Sequence, residues 1–379
     1  MTAIIGIGVT AFGSQPDRTI VSLGEEAALA ALGDCTISPR RIQAGFFASA
    51  LAARLFGDTS LGQNIFAGLG LDEIPIANVE NACTSGSTAL YLAHLAVESG
   101  AAEVALAVGA EKMCVPHLGL IDSGSSELET QLGLVTPASF ALRAARHMHE
   151  FGSTARQLAL VAAKNRRHAA LNPKAMFRSA ETVEQILAAP MIADPLTRSQ
   201  CCPVADGAAA LVLASDEIAS RLPRSVSLRA IVLSSGAYAD SPNLARWHTD
   251  ARTAQLAYEQ AALGPRELDL IECHDAFTIA ELLHCEALGL CEPGGGGTLV
   301  ESGDTTLGGR VPVNVSGGLL SRGHPVGATG LAQIHELVLQ LRHEAGARQV
   351  EGCRVGLAHC MGGDRAGDAK SCAISILSR

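Results

Sequence analysis

The stretch Ile76-Ala-Asn-Val-Glu-Asn-Ala-Cys83-Thr-Ser-Gly-Ser-Thr-Ala89 decides how the chain is read. Ile74–Val79 is a short apolar run bounded by charge and polarity, which reads as a strand. From Thr84 to Ser99 the Ala/Leu spacing turns helical, and Gly100 supplies the C-terminal cap. Cys83 therefore stands at a strand-to-helix junction. Backbone N–H groups and the helix dipole at such a place favour a thiolate, the nucleophilic form of cysteine. A lone Cys at a junction is more often a packing residue, so the reading requires a base elsewhere in the chain.

The stretch has an echo. Val311-Pro-Val-Asn-Val-Ser-Gly-Gly318 also places an apolar run before a helix, and Ala208–Ala214 and Ala373–Leu377 each close a half with an apolar strand. Ala3–Val9 and Glu103–Val108 complete the strands expected in the first half, with a helix over Val21–Leu32. In the second half, strands are expected at Ser227–Ser234, Leu268–Cys273, Val311–Val315 and Arg354–Ala358. Helices are expected near Thr253–Leu263, Thr278–Leu288 and Thr329–Ala345. The alternation is that of a layered α/β protein. Pro223 interrupts the chain between the halves, which divides it into residues 1–224 and 225–379. Between about 110 and 195 the strand rhythm lapses, the mark of an inserted loop domain.

Composition narrows the function. The 379 residues are 48% hydrophobic and 17% charged, which is globular and excludes a disordered acidic protein. A net charge of −10 opposes broad binding to DNA or anionic membranes, and 3% aromatic residues make a poor base-stacking platform. Eleven cysteines without a CxxC pair fit neither a disulfide framework nor a structural zinc site. No run of 18 apolar residues occurs, and the N-terminus reads as a strand and not a signal peptide, so the expected location is cytoplasmic.

One segment departs from the acidic average. From Leu142 to Arg178 stand eight cations (Arg143, Arg146, Arg156, Lys164, Arg166, Arg167, Lys174, Arg178) against the single acid Glu150. Such a cluster is either a solvated helix face or a dock for a phosphorylated ligand. Three further segments carry reactive side chains. Gly323-His324-Pro325 lies in a Gly-rich stretch that fits neither GxGxxG nor a P-loop, and Pro325 restricts the turn that holds the imidazole. His359-Cys360-Met-Gly-Gly363 reads as a turn presenting a second Cys, and Glu272-Cys273-His274-Asp275-Ala276-Phe277 ends a strand with a His and an acid.

Together these four segments resemble the thiolase superfamily. Cys83 matches the acyl-accepting Cys, Gly323-His324-Pro325 the Gly-His-Pro loop, and Cys360-Met-Gly-Gly the second Cys-x-Gly-Gly motif. His274-Asp-Ala-Phe is similar to the His-Asp-Cys-Phe of the sterol-carrier-protein type, as are Leu171–Arg178, Met191–Leu196 and Cys201–Ala208. The sequence departs from that type by carrying Ala276 where the type has Cys and by carrying Cys360 in the C-terminal motif, as biosynthetic thiolases do. Cys273, one step inside the strand, is read as structural.

The resemblance implies a five-layer αβαβα body with two related halves and a loop domain, forming a homodimer or homotetramer. It implies acyl-CoA substrates, with coenzyme A as cosubstrate and no permanently bound cofactor or metal. Cys83 would carry the acyl group and His324 would take its proton. Cys360 would remove the α-proton of a second acyl-CoA, His274 would bind the enolate oxygen, and the N–H groups of Cys83 and Gly362 would form an oxyanion hole. Arg166, Arg167, Lys174 and Arg178 are the expected coenzyme A contacts. Alternatives are C-acyl transfer to a non-CoA acceptor such as a phenolic ring, a retro-aldolase, or an assembly subunit, with a small OB-fold protein as a possible partner.

Overall fold

Along β4 (Val104–Glu111), Val104, Leu106 and Val108 join one apolar cluster while Ala105 and Ala107 join another. Period-two alternation with both faces apolar is what a strand buried on both sides requires. β5 (Gly207–Ser215) repeats it, with Ala208, Ala210 and Val212 facing opposite to Ala209, Leu211 and Leu213. The computed structural model describes every residue except Met1, Thr36, His117, Leu120, Ser123, 238–242 and Ala366.

Nine strands follow one another in the order β3 (Ile76–Val79), β2 (Ala44–Ala48), β4, β5, β1 (Thr2–Val9), β6 (Val226–Ser235), β9 (Asp368–Ser378), β8 (Val355–Arg365) and β7 (Leu270–Glu272). Five come from the first half and four from the second. The halves meet where β1 and β6 pair through only Ala3↔Ser227 and Ile4↔Val226.

The helices form the other three layers. In the middle, α2 (Ser85–Glu98) and α8 (Thr329–Leu341) pack on one another, α2 against β2, β4 and β5, α8 against β5, β7 and β8. Their facing side chains, Ala89, Leu90 and Ala93 with Leu331, Ala332 and Ile334, belong to the largest apolar cluster. On the outside, α1 (Ile20–Asp34) covers β1 and β5, and α5 (His248–Ala261) covers β6 and β9. The result is the five-layer αβαβα arrangement expected from the resemblance.

Between β4 and β5 the chain runs through α3 (Thr136–Phe151), α4 (Ala155–Ala170), two shorter helices and a hairpin of Met191–Ala193 with Leu196–Thr197. A capping box between Thr154 and Gln157 starts α4. The fully buried Lys164 of α4 then donates to the Val313 carbonyl at 2.7 Å and pairs with Glu281 at 2.7 Å. That glutamate lies on α6 (Thr278–Ala287), so the insertion is tied directly to the second half. Among the described residues no helix is long and apolar enough to cross a membrane.

Two expectations need correction. Val311–Val315 is not a strand: only Val313 bridges Ile271, because Asn314 takes φ +58° and turns the chain into α7 (Gly318–Arg322). His359–Gly363 is not a turn. It lies inside β8, with Cys360 opposite Ala373 and Gly362 opposite Ser371 on β9.

Candidate active site

The turn that carries Cys83 is built by short side chains. Ala82 adopts φ +46°, a left-handed conformation that costs a non-glycine residue about 1–2 kcal/mol. Around it, Ser85 Oγ donates to the Ala82 carbonyl at 2.6 Å and accepts from Asn81 N–H at 2.8 Å. Thr84 Oγ1 donates to the Asn81 carbonyl at 2.6 Å and meets Ser371 Oγ of β9 at 2.6 Å. The turn is thus fastened to the other half. Gly362 is required at that crossing, since a Cβ there would lie 3.0 Å from Thr84 N and 2.8 Å from Ser371 Oγ.

The Gly-His-Pro loop is placed by a carboxylate that the sequence reading passed over. Glu111, at the end of β4 and fully buried, accepts from Ser49 Oγ (2.6 Å), Ala50 N–H (2.8 Å), Leu51 N–H (3.2 Å) and Gly327 N–H (2.9 Å). The first three partners follow β2 in the first half, and the fourth lies in the His324 loop of the second. Gly109 lets the loop approach β4, because a Cβ there would collide with the Gly327 carbonyl. An acid ending an otherwise apolar strand was the only signal for Glu111.

At the junction the Cys83 sulfur and one ring nitrogen each of His274 and His324 lie within 4.8 Å of one another. The two imidazoles meet edge-to-face with centroids 5.1 Å apart. Cys360 Sγ lies 3.5 Å from His274 Nδ1 and 3.1 Å from the Cys83 carbonyl. His324, His274 and Cys360 are buried, whereas Cys83 is partly open. The five residues singled out by sequence, Gly362 included, are therefore brought to one place. The cluster's atoms are of metal-binding type, as are those of a second, fully buried group, Asp250, His359 and Cys372.

Hydrogen bonding sets the tautomer of His324. Its Nδ1 lies 2.7 Å from Thr329 Oγ1, whose own proton is directed to the Pro325 carbonyl at 3.0 Å. A hydroxyl has one proton, so here it accepts, Nδ1 carries the hydrogen, and the lone pair of Nε2 is free to act as a base. Thr329 opens α8 and was not identified from the sequence.

Burial dominates the electrostatics. It pushes the Cys83 thiol up to about 12, although the Gly363 N–H faces the sulfur. Burial and the adjoining Cys83 hold Cys360 well above the usual thiol range. Burial, helped by Arg322, lowers His324 to about 3, and burial with the neighbouring histidines holds His274 well below its ordinary value. Desolvation thus opposes the thiolate that the helix N-terminus favours.

The basic segment divides. Arg143 pairs with Asp364 at 3.1 Å, Lys164 with Glu281, Arg146 with Glu150 at 2.8 Å and Arg156 with Glu184 at 3.5 Å. Arg166 is buried, lies 3.6 Å from Glu181, donates to the Leu320 carbonyl at 3.4 Å and covers the Phe177 ring at 4.1 Å. Arg167, Lys174 and Arg178 are exposed.

Comparison with known proteins agrees with this arrangement. Residues 2–217 match the thiolase N-terminal domain family and residues 232–379 the thiolase C-terminal domain-like family. The chain is 38% identical to an acetyl-CoA acetyltransferase of Methanothermobacter thermautotrophicus, over 100% of this chain and 99% of the relative. It is also 38% identical to human sterol carrier protein 2, covering 95% of this chain and 69% of that one. The structure of the Ltp2-ChsH2(DUF35) aldolase superposes with a TM-score of 0.84 at 28% identity, over 100% of this chain and 97% of that one. With both halves matched and the motif residues assembled at their junction, the chain belongs to the thiolase family of acyltransferases.

Proposed function

We propose that the protein forms or cleaves 3-ketoacyl-CoA thioesters through an acyl group carried on Cys83. The observation that supports this best is the meeting of Cys83, His274 and His324 within 4.8 Å, with the Cys360 sulfur 3.5 Å from His274 Nδ1 and 3.1 Å from the Cys83 carbonyl. In the first half-reaction the Cys83 proton passes to His324 Nε2 as the sulfur attacks the thioester, and the Cys83 and Gly362 N–H groups receive the oxyanion. As CoA leaves, its sulfur takes that proton from His324. In the second half-reaction Cys360 passes its thiol proton to His274 Nδ1 and takes an α-proton from a second acyl-CoA, the carbanion attacks the Cys83 thioester, and the Cys83 thiolate that leaves recovers the proton held by His274. The Cys360 thiol has two acceptors within reach. When it faces His274 Nδ1, that imidazole keeps its proton on Nε2, the tautomer able to donate to an enolate oxygen.

Coenzyme A acts as cosubstrate, its phosphates held by the exposed Arg167, Lys174 and Arg178, with Arg166 shaping the segment that carries them. A second reading, retro-aldol cleavage with a protein partner, is favoured by the likeness to the Ltp2-ChsH2(DUF35) aldolase. The retained Cys83 weighs for acyl transfer. Purified protein incubated alone with acetoacetyl-CoA, with and without free CoA, separates the two. Thiolysis consumes CoA and leaves an acyl mass increment on wild-type protein that Cys83→Ala lacks. Cleavage independent of CoA, or labelling undiminished in Cys83→Ala, would refute the acyl-cysteine route.

A further inference from the structure

Behind His274 lies a second polar cluster, unused by the chemistry above and closed to solvent. Asp250 of α5, His284 of α6 and His359 of β8 are all 0% exposed. Asp250 Oδ2 lies 2.8 Å from His284 Nδ1 and 3.1 Å from His359 Nε2. The two imidazoles also touch both main-chain groups of His274: its N–H faces His359 Nδ1 at 3.5 Å, and its carbonyl accepts from His284 Nε2 at 3.1 Å. Trp247 stacks on His284 with centroids 4.5 Å apart, and Arg143 lies over Trp247 at 4.7 Å. Cys372 of β9 closes the remaining side.

Proton counting gives this cluster its character. His284 has an acceptor at each nitrogen, the His274 carbonyl at one and the Asp250 carboxylate at the other. An imidazole with one proton serves only one of them, so a second proton must occupy the 2.8 Å link. His359 receives the His274 N–H on Nδ1, so its own proton is on Nε2, beside Asp250. Burial pushes the Asp250 carboxyl up, but the two imidazoles outweigh it and hold the group well below the usual carboxylate range. Burial opposes a charged His284 and pushes it down to about 4.

We propose that Asp250, His284 and His359 are positioning residues for carbon–carbon bond formation: a clamp, closed by one shared proton, that grips the His274 peptide and aims its imidazole at the substrate oxygen. This rests on the acyl-cysteine reading, in which Cys83 and His324 alone perform acylation. The clamp therefore matters to one half-reaction only.

The test uses full-length His284→Leu and Asp250→Asn. Acylation by acetyl-CoA is followed by intact mass, and the second half-reaction by α-deuterium exchange and acetoacetyl-CoA formation. Expected is a fall of about 100-fold in exchange and condensation, the scale of an approximately 1 Å misplacement, with acylation within about twofold of wild type. His284→Gln, whose amide can still donate to the His274 carbonyl, restores part of the loss. Equal losses in both half-reactions, or no loss in either variant, would overturn the clamp. So would one equivalent of zinc in the purified wild type, since a metal would then occupy the link. Failure of wild type to acylate at all would strike the parent reading instead.

Discussion

Replacing Thr329 by Val tests the base assignment at its narrowest point. The change keeps shape and removes a single hydroxyl that is fully buried in the native protein. Two bonds disappear, the 2.7 Å contact from His324 Nδ1 and the 3.0 Å donation to the Pro325 carbonyl. That carbonyl still receives the Thr329-position N–H at 3.0 Å, so the loss falls on Nδ1. A buried N–H without a partner costs about 1–3 kcal/mol. The penalty applies only to the tautomer with a free Nε2, and the opposite tautomer presents N–H to the Cys83 thiol and cannot accept its proton. At about 1.4 kcal/mol per factor of ten, the acylation rate should fall roughly 10- to 100-fold. Rapid-quench mass spectrometry of single-turnover acylation measures this directly, with Thr329→Ser as the control that keeps the hydroxyl. A folded Thr329→Val protein that acylates within about twofold of wild type would refute the tautomer argument and, with it, His324 as the base.

Cys360→Ala should still acquire an acyl group from acetyl-CoA but fail to exchange α-deuterium or make acetoacetyl-CoA. Condensation at near wild-type rate would move the base to His274. Replacing Arg167, Lys174 and Arg178 together with Ala should weaken acyl-CoA binding more than binding of an acyl-pantetheine lacking the nucleotide, each charged hydrogen bond being worth about 1.5–3 kcal/mol. Equal weakening of both ligands would show that the segment does not hold the phosphates. His168 donates from Nδ1 to the Asn314 carbonyl at 3.0 Å and accepts the Leu307 N–H on Nε2 at 3.0 Å, and burial lowers it to about 3. Because its folded value lies below its unfolded one, wild type holds this stability above about pH 6.5 and loses it as pH falls towards 3. His168→Gln, which can keep both bonds, should therefore gain on wild type by roughly 1.4 kcal/mol per pH unit below 6.5 in denaturant unfolding. A stability difference independent of pH would show that His168 is not held neutral.

Much of the fold was legible because strand and helix periods are written in side-chain alternation, as along Ala208–Ala214 and Thr84–Ser99. The reading failed where the backbone and not the pattern decides. Asn314 turns the chain out of an apolar run that otherwise reads as a strand. His359–Gly363 carries two glycines and so reads as a turn, yet both lie within β8, Gly362 opposite Ser371 and Gly363 at φ +66°. β2 was missed because Ala44-Gly-Phe-Phe-Ala48 shows no alternation. At the site, motif residues could be found one by one, but their supports could not. Glu111, Asp250 and His284 act through contacts that join separate segments, such as the 216-residue span between Glu111 and Gly327, and Thr329, five residues from His324, through a side-chain direction that spacing does not give. Nothing in local spacing announces them. A junction Cys likewise reveals its helix, but not the burial that opposes its thiolate.

The Glu111 carboxylate gives the molecule a kind of gauge. Cys83 and His324 belong to opposite halves, so the gap between them is not a property of either but of the spacing at which the two are assembled. The middle layer acts as the spacer, and it is thin where it matters: Gly86, Gly109, Gly327 and Gly330 bring backbones into contact, and a Cβ on Gly86 would lie 2.7 Å from the Gly327 carbonyl. A methyl group added there is a shim. It would replace no reactive side chain and still alter the distance across which a proton must travel, so tolerance to substitution along this layer should follow proton-transfer geometry more closely than thermal stability.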